Sequence, residues 1–279
     1  MASHQLSPAA TSSYGTSFAA PRVSHKLAQL LHELTGLGLE HVSAPLLKAF
    51  LVNSATYRGD LEQVKERLEQ IGKKRWLDLL GYGQPDSTRA TDCDDYSVLL
   101  FHQDKLEAGQ VAFFDIPVPK KLSKSSEKKQ ITVTVSHNPQ VQKWGLENYY
   151  GIDLKWRMFR GDVDRNRVLD SFSIEDGADS TDEEIELLNS TDELSFKHKS
   201  TFRSRGTIQH DWHEWSMHKD EFSANHYTLA ISASKKWSRQ VEPTDFAVVI
   251  RIEELGATVP IYNEIATEIE TLIEQRAET

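Results

Sequence analysis

Much of what bounds this 279-residue chain is what it lacks. There is one cysteine, Cys93, so no internal disulfide can form. A disulfide-stapled secreted domain is excluded, and a reducing, cytoplasmic compartment is the expectation. Cys93 lies between Asp92 and Asp94, and neighbouring carboxylates raise a thiol pKa, so an inert thiol is expected. Glycine (14) and proline (9) are few, as in an ordinary soluble globular protein. Positive charge is in deficit: the net charge of −10 argues against non-specific nucleic-acid binding. No apolar run approaches the roughly 20 residues of a membrane helix, so no membrane partner is expected. Met1 to His4 is not followed by a basic region and an apolar core, so no signal peptide is expected. The length suits one large domain or two smaller ones.

What is present changes character along the chain. Val23, Leu27, Leu30, Leu31 and Leu34 fall at helical spacing, with Gly36 as a stop. A second helix is expected from the N-cap Ser43, with Pro45 in its first turn and Leu46, Leu47, Phe50 and Leu51 as its apolar face. A third, amphipathic helix spans about 60–71. Gly81-Tyr82-Gly83-Gln84-Pro85-Asp86 then breaks the helical region with turn chemistry.

After about residue 93 the period becomes two. Ile131, Val133 and Val135 alternate with threonines, and Ile152, Leu154, Trp156 and Met158 alternate with Asp153, Lys155 and Arg157. Tyr227 to Ile231 and Phe246 to Ile252 repeat the pattern. With segments at 98–101, 111–116 and 206–215, about seven antiparallel strands result, each polar on one face, hence a sandwich. The tail from about Asn263 reads as helix, with Ile265, Ile269, Leu272 and Ile273 as its stripe. Two segments read as solvated insertions. One is a loop at 120–129 with five lysines; the other is an acidic stretch, about 174–195, with nine carboxylates between Glu175 and Glu193.

Chemistry concentrates near the start, in Gly15-Thr16-Ser17-Phe18-Ala19-Ala20-Pro21. A serine hydroxyl is a poor nucleophile unless held at a fixed point beside a base. Gly15 removes a side chain where a substrate backbone must approach. Ser17 is placed at a helix N-terminus, where free N–H groups and the dipole favour a developing oxyanion. Ala19 and Ala20 are small enough for that helix to cross a packed interior. Pro21 is expected near the first turn, where a missing N–H costs little.

This segment resembles the serine box of the subtilase family, Gly-Thr-Ser-x-Ala-x-Pro. Leu46 to Ala55 resembles the helix that follows the serine helix in that family, and Gly81-Tyr82-Gly83 the glycine-rich turn that closes its catalytic domain. The resemblance implies an α/β catalytic-domain remnant over residues 1–92, followed by an all-β sandwich with a C-terminal helix over 93–279. It implies a serine endopeptidase acting on polypeptide, with Ser17 as nucleophile and backbone oxyanion donor and Gly15, Thr16, Ala19 and Pro21 in support. The strand-rich part, through Ile131 to Val135 and Arg205 to His210, resembles sandwich domains of intracellular bacterial subtilases encoded beside an AAA-type ATPase, which makes such an ATPase an expected partner. No cofactor is implied except calcium, frequent in the family; Asp92, Asp94 and Asp95 are the carboxylates on offer, in a stretch that also suits a loop.

The family's chain order is Asp, His, oxyanion-hole Asn, then Ser. The sixteen residues before Ser17 hold no Asp, and His4 is too close to serve as the base. The expectation is therefore a chain inactive alone, whose partner is a missing N-terminal half. The alternative is a non-catalytic sandwich binding module that keeps a relic of the serine helix. Residues 1–90 are expected to lack their supporting sheet and to expose Leu27, Leu31, Leu47 and Phe50. His210, His213 and His218 cluster with Asp211 and Glu214, but strand alternation puts His210 and His213 on opposite faces, so they cannot converge on one metal.

Overall fold

The computed structural model describes residues 15–57, 61–70, 80–119, 122, 126–142, 149–176, 193–198, 206–216, 226–237 and 239–266. The acidic stretch, apart from its ends, most of the lysine-rich loop, His218 and the tail beyond 266 lie outside these residues. Four helices come first: α1 (Thr16–Gly36), α2 (Ala44–Asn53), α3 (Leu61–Gln70) and the short α4 (Ser87–Thr91). Strands β1 (Ser97–Leu106), β2 (Val111–Pro117), β3 (Lys129–Asn138) and β4 (Ile152–Arg160) follow. Then come helix α5 (Arg165–Asp176) and strands β5 (Ile208–Trp215), β6 (His226–Lys235) and β7 (Thr244–Glu254).

The strands form two antiparallel sheets, ordered β1-β7-β3-β5 and β2-β6-β4. Between them lies the main core. Ile131, Val133 and Val135 of β3 and Val248, Ile250 and Ile252 of β7 face Leu154, Trp156 and Met158 of β4 and Leu229 and Ile231 of β6. These are the alternating positions read from the sequence, so the inward register follows from the pattern.

The outer face of the four-stranded sheet departs from expectation. It is covered by helices rather than by water. Ala247 and Val249 of β7 pack with Leu46, Ala49 and Phe50 of α2, Leu30 and Leu34 of α1 and Ala90 of α4. Phe50, expected exposed, is 1% exposed and lies 5.2 Å, ring to ring, from Phe101 of β1. Leu27 and Leu47 are half-buried, and of the four named residues Leu31 is exposed. The reason lies in β7: Phe246-Ala247-Val248-Val249-Ile250 is apolar without interruption, the signature of a strand buried on both faces.

Local signals set the helix starts. The Ser43 hydroxyl accepts from the Leu46 N–H at 3.2 Å, the expected cap, with Pro45 in the first turn. Asp86 caps α4 through the N–H groups of Thr88 and Arg89. Helix α5 is a finding without a sequence expectation. Asp164 accepts from the N–H groups of Asn166 and Arg167, and Val168 and Phe172, one turn apart, pack with Phe159 and Ala230 on the outer face of the second sheet.

Candidate functional site

Gly15 precedes α1 with φ 144° and ψ 160°, a region open in practice to glycine alone. Its carbonyl accepts from the N–H groups of Phe18 (3.1 Å) and Ala19 (3.2 Å). The N–H groups of Thr16 and Ser17 are then left without an acceptor inside the helix, as the first turn requires. Ser17 is the second helical residue and is exposed, as are Gly15, Thr16, Ala19 and Pro21. The five are brought together on one exposed turn. Ala19 and Ala20, expected to cross a packed interior, face solvent, because the first buried residue of α1 is Leu30.

Pro21 also departs from expectation. With α1 starting at Thr16 it is the sixth helical residue, beyond the first turn. Its missing N–H is the one that would pair with the Ser17 carbonyl, and its ring crowds that same carbonyl. The helix nonetheless runs unbroken through Pro21.

A second polar centre lies where the helices meet the sheet. Asn53, at the end of α2 and 2% exposed, donates through Nδ2 to the Thr134 hydroxyl (3.1 Å) and the Val249 carbonyl (3.2 Å). Arg251 of β7, also 2% exposed, donates to Asn53 Oδ1 (3.4 Å), to the Asp92 carbonyl (3.3 Å) and to the Arg89 carbonyl. Arg89 of α4 forms a two-pronged ion pair with Glu253 of β7, at 2.5 and 2.7 Å. Burial lowers the Arg251 pKa, and Glu253 opposes the shift. No local pattern in the sequence singles out these four residues. The available signal was a lone arginine inside an apolar strand, at a position whose neighbours two residues away face the helices.

Beside this centre opens a cleft of about 300 Å³, bordered by Asn53, Tyr57, Tyr82, His210, Trp212 and Glu253. Tyr82, from the glycine-rich turn, donates to the Ile208 carbonyl at 3.3 Å and meets the His210 ring edge-on at 5.1 Å. His210 Nδ1 is 2.8 Å from the Thr134 hydroxyl, and burial holds its pKa down at about 3, so the ring is neutral. His213 donates to the Ser195 carbonyl and stacks on Trp215, away from His210. Asp211, fully buried, pairs with His198 at 2.9 Å. The cluster is thus divided between faces as the alternation implied.

Among the described residues no group of three His, Cys, Asp or Glu side chains is placed to hold a metal ion. Asp94 instead accepts from the Tyr96 N–H, and the Asp95 carbonyl accepts from the N–H groups of Ile261 and Tyr262. The Asp92–Asp95 stretch is a loop hydrogen-bonded into the fold. Cys93 reaches solvent, yet its thiol pKa is raised, chiefly by the protein packed around it and further by Asp94 and Asp92. No helix among the described residues is long and apolar enough to cross a membrane.

The serine turn, α2 and the start of the glycine-rich turn fall within a match to a family model. Residues 2–83 match the Subtilase family model, Peptidase_S8. The subtilase match ends within the glycine-rich turn, before α4 and the sandwich. The chain is also 26% identical over 255 residues to the uncharacterized protein y4bN of Sinorhizobium fredii, covering 91% of this chain and 56% of that protein. It therefore spans about half the length of this curated relative. Among solved structures, a chain of tomato aspermy virus aligns at 16% identity over 71% of this chain and 100% of its own, with a TM-score of 0.29. A chain of the infectious bursal disease virus VP2 subviral particle aligns at 11% identity over 60% of this chain and 31% of its own, with a TM-score of 0.27.

Proposed function

We propose that this chain is the serine-bearing C-terminal part of a subtilisin-like serine endopeptidase, with Ser17 as nucleophile and polypeptide as substrate. Residues 1–92 are the end of the catalytic domain, and 93–279 form the sandwich attached to it. The single observation that carries the reading is the subtilase match over residues 2–83, which includes the exposed turn of Ser17. The greater length of the Sinorhizobium relative supports a polypeptide in which further sequence supplies the base. In that enzyme Ser17 Oγ attacks the scissile carbonyl carbon while a histidine takes its proton. The free Ser17 N–H lies where a developing oxyanion is stabilised.

A fluorophosphonate probe tests this. Phosphorus bonds to Ser17 Oγ, fluoride leaves, and the serine proton passes to the base. The 279-residue chain should remain unlabelled, and the same chain extended upstream through its gene should label at Ser17 and lose labelling in Ser17→Ala. An extended chain that carries the Asp and His segments and still does not label would remove the protease reading and leave the binding module.

A further inference from the structure

The subtilase match stops at residue 83, yet the helices that carry it are fastened to strands far beyond it. Between α1 and its neighbours the described ties are few: Leu30 and Leu34 in a small apolar cluster, Lys26 to the Ser87 hydroxyl at 3.5 Å, and the Thr91 hydroxyl to Glu33 at 3.0 Å. All involve its C-terminal half, against α2 and the turn of α4. Both of those elements are in turn held by β7. Arg251 bonds the carbonyls of Arg89 and Asp92, at the middle and end of α4, and the side chain of Asn53, at the end of α2. Asn53 passes the bond on to Thr134 of β3 and to the backbone of β7. Glu253, two residues along β7, takes the Arg89 side chain.

Buried polar groups of this kind are costly if half-satisfied and orient their partners when satisfied. An apolar cluster can slide, whereas a guanidinium that joins three acceptors on two elements fixes an angle as well as a distance. That angle matters because α1 is a lever. Ser17 lies 13 residues before Leu30, about 20 Å along the helix axis. A tilt of about 10° at the base then moves Ser17 by about 3 Å, more than the roughly 1 Å a reacting group tolerates.

We propose that Arg251 and Asn53 are positioning residues that make the β-sandwich the platform setting the angle of α1, and so the place of Ser17. The sandwich is by this account part of the catalytic apparatus rather than an appended module. The statement about Ser17 rests on the nucleophile reading above; the statement about the helix layer does not.

The test pairs two readouts on Arg251→Met, which keeps the bulk of the side chain and removes the guanidinium. In the 279-residue chain, hydrogen exchange should quicken at least about tenfold in α1, α2 and α4 while β2, β4 and β6 stay within about twofold. In the upstream-extended chain, the fluorophosphonate rate constant at saturating probe should fall about tenfold or more, with the final labelled fraction unchanged. A merely structural loss would instead lower the labelled fraction. Arg89→Gln, which loosens a partly exposed ion pair, should reproduce the exchange pattern at smaller amplitude if Arg251→Met does not fold. Uniform quickening across both sheets, or no change in the helices, overturns the proposal. If the parent extended chain does not label, the protease reading falls, and the exchange pattern still decides the helix platform.

Discussion

His210 shows what a buried imidazole does to stability. Its pKa is pulled from 6.5 to about 3, first by burial, then by His198 and Arg89 nearby. His137, fully buried on β3, is lowered to about 4 by burial and by Lys48, with a backbone hydrogen bond opposing. In the unfolded chain both return to ordinary values near 6.5. Between about pH 6.5 and the folded pKa values, the unfolded state therefore binds more protons than the native one. Stability is then complete above about pH 6.5 and falls on acidification, by up to about 1.4 kcal/mol per pH unit for each histidine. Urea midpoints measured from pH 7.5 down to pH 4.5 should decline through this window, and His210→Gln should flatten the slope. A midpoint that stays constant from pH 7 to pH 5 would show that neither ring is held neutral.

At the scale of elements, the glycine-rich turn is held by one close approach. Thr56, just after α2, exchanges both backbone hydrogen bonds with Gln84, at 3.0 and 2.8 Å. Gly83 lies beside this bridge with φ +100°, and a Cβ there would sit 2.6 Å from the Thr56 carbonyl oxygen. Gly83→Ala meets both a disfavoured backbone region and a backbone atom that cannot rotate away. It should cost about 2–4 kcal/mol, visible as a lowered thermal midpoint, with Tyr82 displaced from Ile208 and His210. Gly81→Ala, whose Cβ would meet nothing within 4 Å, carries the φ penalty alone and should cost clearly less. Equal losses would refute the close-approach argument.

The elements also show what was readable in the sequence. The Ser43 cap, the seven strands and their inward register follow from local chemistry and from a period of two. At the serine turn the helix start after Gly15 was legible. The local reasons read for Ala19, Ala20 and Pro21 did not hold, since the alanines face solvent and the proline lies beyond the first turn. Asn53, Arg251, Arg89 and Glu253 were not legible, since their partners lie up to 198 residues away and no local spacing encodes such a meeting. The covered outer sheet face stands between these cases. Ala247 and Val249 broke the polar alternation of β7, a local sign of a second buried face whose covering could only be tertiary. The exposure expected for Phe50 failed for that same reason: its helix found a sheet within the chain.

For the molecule as a whole, this shared face decides how the chain should unfold. A division at residue 92 separates the subtilase-like helices from the sandwich in sequence, but the apolar cluster of α1, α2 and α4 includes Ala247 and Val249 of β7. Removing the helices would bare those two residues, strip the Arg251 guanidinium of its acceptors and uncover the Thr134 hydroxyl. A typical domain is held together by only about 5–15 kcal/mol, so losing this apolar cover together with the bonds of Arg251 and Asn53 is a large loss. The sandwich should therefore not survive intact once the helices have left. Calorimetry of the 279-residue chain should give one transition whose van't Hoff and calorimetric enthalpies agree. Two resolved transitions, with tryptophan fluorescence of the sandwich persisting after helix circular dichroism is lost, would show that the two parts are independent. In that case β7 would have to tolerate an open outer face, against the burial of every one of its positions but Asp245.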